Sequence, residues 1–127
     1  MLSTVQAGEK PKLLTILSTP EEESQMMALI LSLQAVQQGA GVTVLLCGEA
    51  GYLGTTEGTS QTFAPLGKTP RDMVQSLLDA GADVFLCALF LPNRDIDRNS
   101  LREGVIPARP PEITALMLDP QTRLLSL

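Results

Sequence analysis

The feature that most constrains this chain is an unbroken apolar run, Val84 to Leu91, closed by Gly81-Ala82-Asp83 before it and Pro92-Asn93 after it. The run is rich in branched and aromatic side chains and too short to cross a bilayer, so it reads as a strand buried on both faces. Pro92 stops it, because proline has no N–H to give a sheet ladder. Cys87 stands near the carboxyl end of this strand, three residues before its expected end at Phe90.

A strand buried on both faces needs helices above and below it, and the rest of the chain supplies them in alternation. Lys12 to Ser18 reads as a first strand. Thr19-Pro20-Glu21-Glu22 then opens a helix, with Thr19 as cap, Pro20 at the first helical position and Glu22 completing a capping box. Met26, Leu29, Ile30, Leu33 and Val36 recur at helical spacing, with Met27 and Leu31 widening the stripe, and Gly39 and Gly41 close it. Val42 to Cys47 is the second strand, which makes a βαβ unit with parallel strands and a right-handed crossover.

Gly48 to Gly54 follows as a glycine-bearing turn whose spacing matches neither the dinucleotide fingerprint nor a P-loop. Thr55 to Lys68 is polar and aperiodic, a loop of the length used for lids, subunit interfaces or disordered segments. Thr69-Pro70-Arg71-Asp72 starts a second helix with Met73, Val74, Leu77 and Leu78 on its buried side. After Pro92, Ser100 to Glu103 reads as a short helix, Val105-Ile106 as a short strand, and Pro110-Pro111-Glu112 as the start of a last helix. That helix carries Ile113, Leu116, Met117 and Leu118, and Arg123 to Leu127 reads as a final strand. The expectation is one α/β domain over residues 1–127, a three-layer α/β/α fold with a mostly parallel sheet of about five strands. Residues 1–10 read as a loose or edge-lying lead-in.

Composition narrows the function. Fourteen acidic residues against nine basic ones give a net charge of −5, which argues against nucleic acid, since that binding rests on clustered Lys and Arg. Two cysteines suit a reducing compartment, no signal peptide is evident, and no segment reaches the length of a membrane span, so a cytoplasmic, membrane-free protein is expected. Histidine is absent. Its absence removes Ser-His and Cys-His nucleophile pairs and the commonest zinc and copper ligand, so no metal and no cofactor is expected.

The chemistry that remains is that of Cys87. In an open parallel sheet, ligands bind beyond the carboxyl ends of the strands, where Cys47 also ends its own strand. If a strand separated them they would stand about 10 Å apart, too far for a disulfide. A working thiol must ionise, and Arg94 and Arg98 in the following loop are the nearest cations in sequence. The phosphatase spacing Cys-x5-Arg does not apply, because Cys87 and Arg94 have six residues between them and no glycines there build an anion nest.

The order of elements resembles the DsrE/DsrF-like family, including YchN-like proteins. The stretches that carry the resemblance are Lys12 to Ser18, Val42 to Gly51, Ala80-Gly81-Ala82-Asp83-Val84-Phe85-Leu86-Cys87, Leu101-Arg102-Glu103-Gly104-Val105 and Asp119 to Leu127. The resemblance implies a DsrEFH-like parallel α/β/α fold, homo-oligomers (trimers or hexamers) and sulfur relay through a persulfide on the cysteine at Cys87. It implies a sulfur donor or acceptor protein as partner. Many relatives have a second cysteine three residues later, where this chain has Phe90. The expected site is therefore Cys87 as carrier, with Arg94, Arg98, Cys47, Glu49 and Tyr52 stabilising the thiolate or forming the pocket. The alternative is a non-catalytic small-ligand-binding or oligomeric assembly module in which Cys87 fills the core.

Overall fold

The computed structural model describes residues 10–127, and the expected lead-in falls almost wholly outside them. Five strands form one parallel sheet in the order β4-β3-β2-β1-β5: β1 Lys12–Leu17, β2 Gly41–Leu46, β3 Asp83–Leu86, β4 Ile106–Pro107 and β5 Thr122–Ser126. All four pairings are parallel. Helices α1 (Glu22–Gln37) and α2 (Pro70–Asp79) pack together on one face. There Leu17, Leu29, Val44, Leu46, Leu77, Val84 and Leu86 build the main core. On the opposite face α4 (Pro110–Leu118) sets Ile113 against Leu14, with Ile16, Leu45 and Phe85 packed around them. The three-layer architecture is the one the alternating pattern implies.

One polar pair in the core joins sheet and helix. Thr15 of β1 and Ser32 of α1 are fully buried and their hydroxyl oxygens lie 2.7 Å apart. Ser32 also donates to the Ala28 carbonyl at 2.8 Å, so this polar bridge between sheet and helix carries its own satisfaction.

Several local expectations change. The apolar run is half strand and half helix: β3 ends at Leu86, and α3 (Phe90–Arg94) begins three residues after Cys87. The ladder stops where both neighbours end, with Leu46 of β2 and Pro107 of β4 opposite Leu86, and Ala108 N–H to Leu86 C=O (2.7 Å) is among the last bonds across it. Pro92 sits in the first turn of α3, where a missing N–H costs nothing. Asp95 then closes that helix in the left-handed region (φ 54°). Cys87 is thus the first residue beyond the strand rather than a residue within it.

The cap of α1 is Glu21, not Thr19. The Glu21 carboxylate accepts from the amides of Glu23 (2.7 Å) and Ser24 (3.2 Å). Thr19 Oγ1 accepts only from the Glu21 amide, and Glu22 accepts from the Gln61 amide instead of completing a box. The start of α2 does follow its pattern, with a reciprocal Thr69–Asp72 capping box. Met27 and Leu31 are about half exposed rather than part of the buried stripe, as are Met117 and, more so, Leu118 on α4. The expected helix at Ser100–Glu103 is a 3₁₀ turn at Arg98–Ser100 capped by Asp97. Gly48–Gly54 is a 3₁₀ segment instead of an open turn. Among the described residues no helix is long and apolar enough to cross a membrane.

Candidate functional site

The chain runs β1, β2, β3, β4 in one direction across the sheet, then returns through α4 to place β5 beside β1. The segment leaving β3 goes to the α1/α2 face, where Phe90 and Leu91 join the main core. The segment leaving β4 goes to α4 on the other face. The carboxyl ends of β3 and β4 therefore diverge to opposite faces, the kind of crevice in which open parallel sheets bind ligands. Cys87 stands at that point, partly exposed.

Two clefts open there and share Cys87 and Ala88. One, of about 330 Å³, is walled by Leu86, Leu91, Ile96 and Pro107 and has Arg98 on its rim. The other, of about 360 Å³, lies on the α4 side between Leu45, Leu89, Ala108 and Ile113 and is almost wholly apolar. Of the two arginines expected near the thiol, Arg98 is the one that lines its cleft.

Arg94 is engaged elsewhere. Its guanidinium lies over the Phe90 ring at 4.2 Å and 5.9 Å from the centroid of Tyr52. Nη2 is 3.8 Å from Glu49 Oε1, an ion pair with Glu49 well exposed. Tyr52 and Phe90 meet edge to face with centroids 5.0 Å apart. Glu49, Tyr52, Phe90 and Arg94 thus form one cluster that ties the 3₁₀ segment to α3. Glu49 and Tyr52 also border a separate cleft of about 430 Å³, closed by Arg71 and residues 57–60 of the long loop.

The placement of Cys47 differs from the conditional expectation of a strand between the two thiols. β2 and β3 are neighbours, with Leu46 opposite Leu86. The Cys87 N–H donates to the Leu46 carbonyl at 2.9 Å, so Cys47 and Cys87 each follow directly on the last pair of the ladder. Burial first, and the charge of Cys87 second, push the Cys47 thiol up to about 11. Both cysteines are free and partly exposed. Their adjacency depends on strand order, which no local pattern carries.

Sequence reasoning also missed the two arginines that hold the loops around the site. Arg71 donates to the carbonyls of Thr55 (2.7 Å) and Tyr52 (2.8 Å). Arg102 donates to those of Leu53 (3.3 Å) and Arg71 (3.0 Å) and to Gln75 Oε1. Burial lowers the pKa of both, but a guanidinium stays charged throughout. Among the described residues no group of three or more His, Cys, Asp or Glu is placed to hold a metal ion.

No family model matches the chain, and no curated protein is similar to it at a significant level. Solved structures are similar. The YchN protein from E. coli superposes with a TM-score of 0.75 at 19% identity, covering 94% of this chain and 100% of that one. A protein of unknown function from Methanobacterium thermoautotrophicum gives 0.71 at 13% identity over 93% and 100% of the two chains. A conserved protein of unknown function from Bacteroides thetaiotaomicron gives 0.61 at 15% identity over 91% and 94%. The chain has the YchN-like, DsrE-like fold.

Proposed function

We propose that this protein is a sulfur carrier that holds sulfane sulfur as a persulfide on Cys87 and passes it to a partner thiol. The observation that carries the reading is the position of Cys87: the first residue past β3, partly exposed, where the strand ends diverge and two clefts meet. A carrier thiol must be reachable and must react as the thiolate. The clefts supply the access, and Arg98 on the rim of one supplies positive charge. The apolar walls keep water from a bound persulfide, and the Glu49–Arg94–Tyr52 cluster fixes the loops that frame the site. The exposed apolar side chains Ile106, Met117, Leu118 and Leu124 suit a homo-oligomer.

The same exposed side chains favour the second reading, a non-catalytic assembly module in which the clefts serve subunit contacts. Incubation with a low-molecular-weight persulfide, followed by intact-mass and peptide analysis, separates the two. A gain of about 32 Da on Cys87, absent from Cys87→Ser, supports the carrier. Native protein that takes up no sulfur, with Cys87 labelled only after unfolding, supports the module.

A further inference from the structure

The geometry points to Cys47 as the resolving thiol of this site: it attacks Cys87 and discharges what Cys87 carries. This rests on the carrier reading of Cys87 in its persulfide form but is open to test without it.

Directly paired residues on neighbouring parallel strands have Cα atoms about 4.8 Å apart. That lies inside the separation of about 4.4 to 6.8 Å that a disulfide requires. Cys47 and Cys87 each lie one residue past the last pair, Leu46 with Leu86, and the Cys87 N–H bond to Leu46 C=O holds the two chains together there, so the cysteines sit side by side at close to that spacing. The influence of the Cys87 charge on Cys47 is a second sign that the two thiols are close. Cys87 lines both clefts, whereas Cys47 lines neither. One thiol therefore meets the incoming donor, and the other waits beside it.

In the step, Cys47 Sγ as thiolate attacks Cys87 Sγ, the inner sulfur of the persulfide. The Cys47–Cys87 disulfide forms, the bond from Cys87 Sγ to the outer sulfur breaks, and that sulfur leaves as hydrosulfide. The proton lost by Cys47 balances the one hydrosulfide takes up. The two thiols supply the two electrons that reduce sulfane sulfur to sulfide, so no outside oxidant enters. A thiol that is mostly protonated at neutral pH makes this step slow, which leaves the loaded form time to meet an acceptor.

The test compares wild type with Cys47→Ser and Cys47→Ala, the second guarding against a hydroxyl that perturbs the strand end. Each is loaded with a low-molecular-weight persulfide, cleared of donor, and sampled for released sulfide and for a Cys47–Cys87 cross-linked peptide under non-reducing conditions. Wild type is expected to lose its sulfur at least about ten-fold faster than both variants and to form the cross-link. Equal persistence in all three, with no cross-link, overturns the resolving role and leaves the carrier standing. In a parallel arm glutathione disulfide is the probe. Cys87 takes up glutathione with loss of one glutathione thiolate, and Cys47 then expels the second as the internal disulfide forms. Glutathione retained on Cys87 only in the Cys47 variants upholds the resolving role even if no persulfide ever loads, in which case the carrier reading alone fails. If Cys87 accepts neither probe, both fall.

Discussion

The ring of Phe90 lies against the bare Cα of Gly51, so close that a Cβ there would fall inside the ring's van der Waals envelope at Cδ2 and Cε2. Phe90 is almost completely buried and Gly51 is buried with it. This contact locks the start of α3 to the 3₁₀ segment and so sets the path of the chain immediately after Cys87.

Gly51→Ala is expected to cost about 1–3 kcal/mol, the usual penalty for forcing a methyl into a packed core. Chemical denaturation measures it. Phe90→Leu in the same chain should recover part of the loss, because the smaller side chain vacates the space. Two changes that simply add would show that the close contact is not the cause.

Arg102→Ala removes donors from two backbone carbonyls and from Gln75 at once. The expected loss is about 1–3 kcal/mol, the range for leaving part-buried acceptors unpaired. Arg102→Lys should restore little, since one ammonium cannot span acceptors arranged for a planar fork. A lysine variant as stable as wild type would refute this account.

Alkaline stability should report on Cys47. Its pKa rises from an ordinary 9.0 to about 11 in the folded chain, through burial and then the charge of Cys87. Above pH 9 the unfolded chain has released the proton that the native state still holds. The contribution is therefore whole below about pH 9 and is lost as pH climbs toward 11. Denaturation midpoints of wild type should fall across that window more steeply than those of Cys47→Ala. Parallel curves would contradict the assignment.

Acid acts in the opposite direction through three carboxylates. Ser24 and the Glu23 amide hold Glu21 below its ordinary 4.5. Thr69 holds Asp72 below 3.8, and the Lys12 ammonium at 2.6 Å, with the Gln121 amide, does the same for Asp119. Each favours the fold above its ordinary pKa and loses that effect as pH falls through the lowered value. A variant carrying Glu21→Gln, Asp72→Asn and Asp119→Asn should show a flatter stability profile below about pH 4.5. Thr69→Ala alone should cost about 1 kcal/mol at neutral pH, as loss of an N-cap does.

The sequence by itself determined what local physics carries. Apolar runs and period-3.6 stripes placed the strands and helices and their alternation, the Thr69-Pro70-Arg71-Asp72 pattern placed a helix start, and Pro110-Pro111-Glu112 opened the last helix. Where two local signals competed, only the tertiary structure decided. The Val84–Leu91 run ends as a strand at Leu86 because both neighbours, β2 and β4, end opposite it, and its second half turns helical to bury Phe90 beneath Gly51. Glu21 displaces Thr19 as cap because its carboxylate reaches two amides at once. The nearness of Cys47 to Cys87 across a gap of many residues follows from strand order and register alone. Those are properties of which strands lie side by side, and an amino-acid pattern read along one segment holds no term for its neighbour.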